Sequence, residues 1–163
     1  MTVRVVVGDL FEARAQTLVN AVNCAGVMGK GIALAFKQRF PAMYEDYAAR
    51  CAAHTVRLGQ PYLWKSVALP WIVNFPTKDH WRSASHLPDI VAGLEYLEQH
   101  YQEWRVTSLA TPAIGCGLGQ LKWRVVGPVL YQHLSRLDIP VELYAPPGTP
   151  DYELQATFLA TDG

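Results

Sequence analysis

No excess of either charge sign is present: 14 lysines and arginines meet 14 aspartates and glutamates across 163 residues. A chain without a net positive field does not hold a polynucleotide by its overall charge, so any such partner must be gripped locally. Cysteine is scarce and unpatterned. Cys24, Cys51 and Cys116 lie far apart with no CxxC pair, which argues against a disulfide framework or a zinc knuckle and for a reducing, cytoplasmic setting. No apolar run approaches the roughly 20 residues that span a bilayer, and the N-terminus enters Val-Arg-Val-Val-Val without a basic segment and a long apolar stretch. Neither a membrane partner nor export is expected. Repeats, low-complexity blocks and interdomain linkers are also lacking. Half of the residues are apolar, enough for one domain with a single sizeable core but cramped for two.

Periodicity separates the chain into alternating elements. Residues 2–7, 17–22, 61–66, 70–75, 106–111 and 140–144 are short and rich in β-branched or aromatic side chains, and read as strands. Between them, Ile32, Ala33, Phe36 and Phe40 share a helical face, as do Tyr44, Tyr47, Ala48 and Cys51 behind Pro41. The longest helix gathers Ile90, Val91, Leu94, Leu97 and Tyr101 behind Pro88 and Asp89, which suit a first turn. Another gathers Val126, Val129, Leu130, His133, Leu134 and Leu137, with Pro128 close enough to its start to be tolerated. The class is α/β. Residues 146–163 read as an exposed extension, or the start of a linker to a further domain, in which Tyr152, Leu154, Phe158 and Leu159 could dock as a short terminal element.

Two glycine loops occupy equivalent positions. Gly26-Val-Met-Gly-Lys-Gly31 follows the strand ending near Val22 and opens the Ile32 helix, and Gly115-Cys-Gly-Leu-Gly119 follows the strand ending near Thr111 and precedes the Val126 helix. Loops of this kind lie beyond the carboxyl ends of parallel strands, where a glycine-lined helix N-terminus offers unpaired N–H groups to an anion. Two of them predict a clamp for a diphosphate, neutralised by main-chain dipoles rather than lysines. Glycines serving only tight turns are the plainer reading. A P-loop is excluded because Lys30 is followed by Gly31 rather than a hydroxyl residue, and a dinucleotide fold because Gly115, Gly117 and Gly119 space as G-x-G-x-G.

With Gly8-Asp9-Leu10 after the first strand, Leu18-Val-Asn20-Ala-Val-Asn23 running into Gly29-Lys-Gly-Ile-Ala33, Pro112-Ala-Ile-Gly-Cys-Gly-Leu-Gly119, and a last strand ending at Tyr144, the chain resembles a macrodomain over roughly residues 3–144. That resemblance implies a three-layer α/β/α sandwich with a mixed central sheet and an ADP-ribose cleft. Asp9 would accept from the adenine amino group, Leu10 and Tyr144 would line the base pocket, and Asn23 would face the distal ribose. Gly8, Asn20 and Thr77 would border the cleft. The backbones of Gly29, Lys30, Gly31, Ile32 and Ala33, and of Pro112, Ile114, Gly115, Cys116, Gly117, Leu118 and Gly119, would hold the phosphates. No metal and no cofactor is implied; ADP-ribose is the ligand and product.

Within the family, Asn74-Phe-Pro-Thr-Lys78 followed by Trp81-Arg82 and Ser85-His86 is similar to the DarG branch, antitoxins that remove ADP-ribose placed on DNA thymidine by a DarT toxin. The resemblance puts Lys78, just after a strand, beside the anomeric carbon. It implies a monomeric glycohydrolase acting on single-stranded DNA, with a DarT-like toxin as a partner held by a region outside these residues. A nucleophilic lysine must be neutral, yet at an ordinary pKa near 10.4 only about one in a thousand is neutral at pH 7.4. Desolvation against Trp81 and Phe75, or repulsion from Arg82 or Lys30, would lower it; a lysine that stays protonated would instead polarise the leaving base. A related eukaryotic glycohydrolase carries an aspartate where this chain has Gly119, which leaves water, the substrate or His80 to replace it. His80, Trp81 and Arg82 are candidate DNA contacts, against the alternative of Trp81 folded onto the core. Two other readings remain open: a non-catalytic ADP-ribose reader, and a hydrolase of protein-linked or small-molecule ADP-ribose derivatives.

Overall fold

The computed structural model describes residues 3–160; Thr2 at the start of the first expected strand, and residues 161–163 of the expected extension, lie outside it. Six strands form one sheet in the order β1-β6-β5-β2-β4-β3: β1 Val3–Val6, β2 Thr17–Asn23, β3 Tyr62–Trp64, β4 Trp71–Lys78, β5 Leu109–Pro112 and β6 Val141–Tyr144. All neighbours run parallel except β3, which pairs antiparallel with β4 at the edge. The sheet is therefore mixed, as expected, and its central strands β2 and β4 are buried on both faces.

Helices cover the two faces. Helices α1 (Gly31–Arg39) and α2 (Pro41–Ala52) bury Phe36, Met43 and Tyr47 against Leu18, Val22 and Ile72. Helices α3 (Leu87–His100) and α4 (Trp123–Leu134) bury Ile90, Leu94, Leu97, Val126 and Leu130 against Val19, Val73 and Phe75. Pro41 and Pro88 open α2 and α3, where a missing N–H costs nothing. Tyr101 only caps α3, and Leu137 falls in the turn beyond α4. The strand expected at 106–111 is confined to Leu109–Pro112.

Beyond β6, residues 151–159 dock rather than trail into solvent. A 3-10 turn (Asp151–Leu154) and the short α5 (Ala156–Leu159) bring Leu159 into the α3/α4 core. The Trp123 indole N–H donates to the Glu153 carbonyl at 3.1 Å, fastening this segment to the start of α4. Tyr152, also a candidate for docking, stays exposed.

Candidate active site

Because β1, β2, β4, β5 and β6 are mutually parallel, the segments leaving their carboxyl ends gather along one edge of the sheet. Val6 and Pro112 each pair with Tyr144, and Asn23 pairs with Lys78 after a register shift that leaves Thr77 of β4 as the extra residue. Residues scattered from 8 to 144 thus line one rim.

The first loop is built by side chains. Asn23 Oδ1 accepts from the N–H groups of Ala25 (2.9 Å) and Val27 (3.4 Å), and its Nδ2 donates to the Val27 carbonyl at 2.7 Å. From α2, Tyr47 Oη lies 2.7 Å from the Asn23 carbonyl oxygen and 2.8 Å from Oδ1, while Tyr44 Oη donates to the Gly26 carbonyl at 3.2 Å. Asn23 is buried, and only one hydrogen of its amide is left for a ribose. The loop delivers the chain through Gly29 and the extended Lys30 into α1, whose N-terminus has no side-chain cap. The first-turn N–H groups of Gly31, Ile32 and Ala33 are therefore open to an anion.

The second loop is built differently. A 3-10 turn (Gly117–Gly119) follows Cys116, and α4 begins only at Trp123, so this loop does not feed a helix N-terminus directly as the first one does. The N–H groups of Gly115, Gly117 and Leu118 find no acceptor among the described residues. Gly115 adopts φ +89°, and a Cβ there would lie 2.5 Å from Ile90 Cδ1 and 2.7 Å from Leu121 Cδ1. At Gly119 a Cβ would meet Ser85 Oγ at 2.6 Å. A side chain at 119 therefore requires Ser85 Oγ to shift. The two loops meet: Leu118 Cδ1 is 3.2 Å from the position a Cβ would take on Gly31.

Lys78 is the last residue of β4 rather than the first beyond it. Its Nζ donates to the Leu118 carbonyl at 3.2 Å and to the Trp81 carbonyl at 3.1 Å, and its own carbonyl accepts from Cys24 N at 3.0 Å. The amine is thus tied to the second loop, and its main chain to the start of the first. Partial burial pushes its pKa below the ordinary lysine value. Desolvation is the cause rather than repulsion from Arg82 or Lys30, and the Phe75 ring packs under Gly93 of α3.

At the other end of the rim, Asp9 Oδ1 accepts from Phe11 N at 2.9 Å and caps a 3-10 turn, leaving Oδ2 free. Gly8 lies against Tyr144, a Cβ there reaching Tyr144 Cε2 at 3.8 Å. Leu10 is buried in the α1/α2 core and offers little surface to a base.

Three expected site residues are withdrawn from the rim by the sheet. Asn20 is fully buried beneath α1 and α2, its Nδ2 donating to Asn74 Oδ1 at 3.1 Å. The Thr77 hydroxyl donates to the Val22 carbonyl at 3.2 Å and is buried. Ile114 sends its side chain into the α3/α4 core, leaving only its main chain at the loop. Burial pushes the thiols of Cys24 and Cys116 up to about 11, which disfavours their thiolate forms at neutral pH. Tyr44 and Tyr47 are the residues that sequence reasoning missed, showing only as members of a helical face; Ser85 stood out only as part of the stretch that follows Lys78, with no role attached. A groove of about 560 Å³ lined by Arg4, Glu12, Arg14, Glu142 and Tyr144 lies along β1 and β6, away from both loops. Among the described residues no three His, Cys, Asp or Glu side chains gather to hold a metal, and no helix is long and apolar enough to cross a membrane.

This geometry is shared with known proteins. A DNA ADP-ribosyl transferase–DNA ADP-ribosyl glycohydrolase fusion protein of Thermosipho africanus is 38% identical, over 93% of this chain and 44% of its own length. The structure of T. africanus DarTG in complex with ADP-ribose superposes with a TM-score of 0.93 at 38% identity, covering 98% of this chain and 46% of that one. The macrodomain of Mycobacterium tuberculosis DarG superposes at 0.85 with 40% identity, covering 88% and 97%. The chain spans less than half the length of the full-length relative it matches. The Macro domain model matches residues 19–130, a span that takes in the first loop, Lys78, the second loop and most of α4. The chain belongs to the Macro domain family.

Proposed function

We propose that this chain is a glycohydrolase that removes mono-ADP-ribose from thymidine in single-stranded DNA, reversing a DarT-like transferase toxin that is held through a region outside these residues. Of the three matches named above, one is called a DNA ADP-ribosyl glycohydrolase fusion protein, and the other two are DarTG, seen in complex with ADP-ribose, and a DarG macrodomain. Asp9 and Tyr144 take the adenine end, the two main-chain loops take the diphosphate, and Asn23 and Lys78 take the distal ribose.

The observation that carries this reading is the tether of Lys78 Nζ to the carbonyl of Leu118, inside the second loop. An amine fixed there stands at the ribose end of any diphosphate held between the loops. Two of its tetrahedral directions are used by carbonyls. The bond to Cε takes a third, and one is available: in the neutral amine it carries the lone pair that attacks C1″ as the bond to the thymine nitrogen breaks, the base leaving with the electron pair and taking up a proton from the alkylated amine. Water then adds to C1″ of the adduct and frees the lysine. If the amine stays protonated, the same direction carries an N–H toward the departing base, and water attacks C1″ directly.

The experiment compares wild type with Lys78→Ala on an oligonucleotide carrying ADP-ribosylated thymidine. Release of ADP-ribose is expected to fall below detection in the variant, with calorimetric binding of free ADP-ribose changed by less than about threefold, an energy below 1 kcal/mol. Undiminished release removes Lys78 from the chemistry. ADP-ribose binding by the wild type without release from DNA, protein or small-molecule conjugates would make the chain a reader.

A further inference from the structure

The segment from Lys78 to Ser85 is a strap clipped to the second loop at both ends. Lys78 Nζ donates to the Leu118 carbonyl at one end, and Ser85 N donates to the Gly119 carbonyl at 2.9 Å at the other. Between the clips, Trp81 does not fold onto the core; it is 40% exposed. Its ring is held in place by planar neighbours. The Arg82 guanidinium lies 4.4 Å from the ring centroid, and the His80 ring centroid lies 5.1 Å away at 30°. Arg82 N donates to His80 Nδ1 at 3.1 Å, which fixes the imidazole relative to the strap. The three exposed side chains form a cluster of flat groups around the indole, and Trp81 uses its own carbonyl to hold the amine.

We propose that this cluster, with the exposed Trp81 indole as its main surface, is a stacking platform for a base of single-stranded nucleic acid next to the modified nucleotide. The inference rests on the reading above and adds to it a specificity element outside the ADP-ribose cleft. An indole and a guanidinium stack on any base, and a cation beside the stack meets the neighbouring phosphate. The chain has no net positive charge to hold a strand by its backbone, so the platform supplies locally what the overall charge does not. A base inside a duplex is already stacked on both sides and presents no free face, which makes single strands the fitting partner. Because Trp81 contributes both the ring and the carbonyl that holds Lys78, a strand on the platform is registered against the amine.

The test uses two substrates with the same modified base, ADP-ribosylated thymidine as a mononucleoside and as part of a single-stranded oligonucleotide, with wild type, Trp81→Ala and Trp81→Phe. The ratio of kcat/KM for oligonucleotide over mononucleoside is expected to fall about tenfold in Trp81→Ala, within the roughly 1–3 kcal/mol that one stacked base contributes, and to recover largely in Trp81→Phe. A second readout needs no turnover: the anisotropy of a labelled, unmodified oligothymidylate, whose affinity is expected to drop by a similar factor in Trp81→Ala. Equal losses on both substrates would mean that Trp81 serves only to hold the lysine, and would overturn the platform, as would oligothymidylate binding indifferent to the substitution. Wild-type protein that binds the oligonucleotide through Trp81 yet releases nothing would sink the glycohydrolase reading and leave the platform standing.

Discussion

The two loops that face each other across the rim leave main-chain N–H groups open by opposite means. The first is shaped from outside by hydrogen-bonding side chains: Asn23 turns the chain, and Tyr44 and Tyr47 reach up from α2 to hold it. Its open N–H groups belong to a regular helix, so the dipole of α1 adds to them. The second is shaped by what is missing. Gly115 and Gly119 have neighbours packed where a side chain would begin, and its open N–H groups belong to an irregular turn. The first loop is therefore sensitive to atoms taken away, and the second to atoms added.

That contrast is sharpest at Gly115. Gly115→Ala places a methyl group 2.5 Å from Ile90 Cδ1 on a backbone of positive φ, combining overpacking with a conformation that alanine disfavours. A loss of about 3 kcal/mol of unfolding free energy is expected in urea titrations. A change below 0.5 kcal/mol would mean that the loop has slack and that its shape is not set by exclusion.

A test of intermediate size separates binding from chemistry. Neither loop contains a group that titrates near neutrality in its N–H cradle, so ADP-ribose affinity should be nearly flat between pH 6 and 8. Turnover through a neutral Lys78 should instead rise about tenfold per pH unit and level off below the ordinary lysine pKa of about 10.4, because burial lowers that pKa. The sign is fixed by the role: deprotonation creates the lone pair, so raising pH speeds the reaction. A rate that falls as pH rises would assign the work to the protonated amine.

The smallest effect is expected at the first loop. Tyr47→Phe removes one hydroxyl and leaves Asn23 Oδ1 with its two main-chain donors. The cost should be about 1–2 kcal/mol in stability, accompanied by weaker ADP-ribose binding on calorimetry. Thermal unfolding and binding identical to wild type would show that Asn23 holds the loop alone.

The sequence made the alternation of strands and helices legible because each element carries its own period and its own Pro or Gly boundary. Both loops and Lys78 were legible because their signals lie within a few residues. What was not legible depends on contacts between distant segments. Asn20 sits three residues before Asn23 with the same side chain, yet its register on β2 buries it among Met28, Met43 and Asn74, while Asn23 reaches the end of the strand. A strand buried on both faces has no polar–apolar alternation to separate such a pair. The match of Gly119 to Ser85 joins positions 34 residues apart, and nothing local in either announces it. The absence of an aspartate at 119 reads in the sequence as a missing catalytic group; the packing adds that any side chain there must displace Ser85 Oγ.

The docking of residues 151–159 beneath α4 has a bearing on the rim itself. Every residue proposed to face the ligand precedes residue 145, yet the helix that follows the second loop starts at Trp123, whose indole is anchored to Glu153. The final segment acts as a wedge under that helix from the side remote from the chemistry. Pulling the wedge out would leave all the ligand-facing residues in the chain while loosening the footing on which half of them stand.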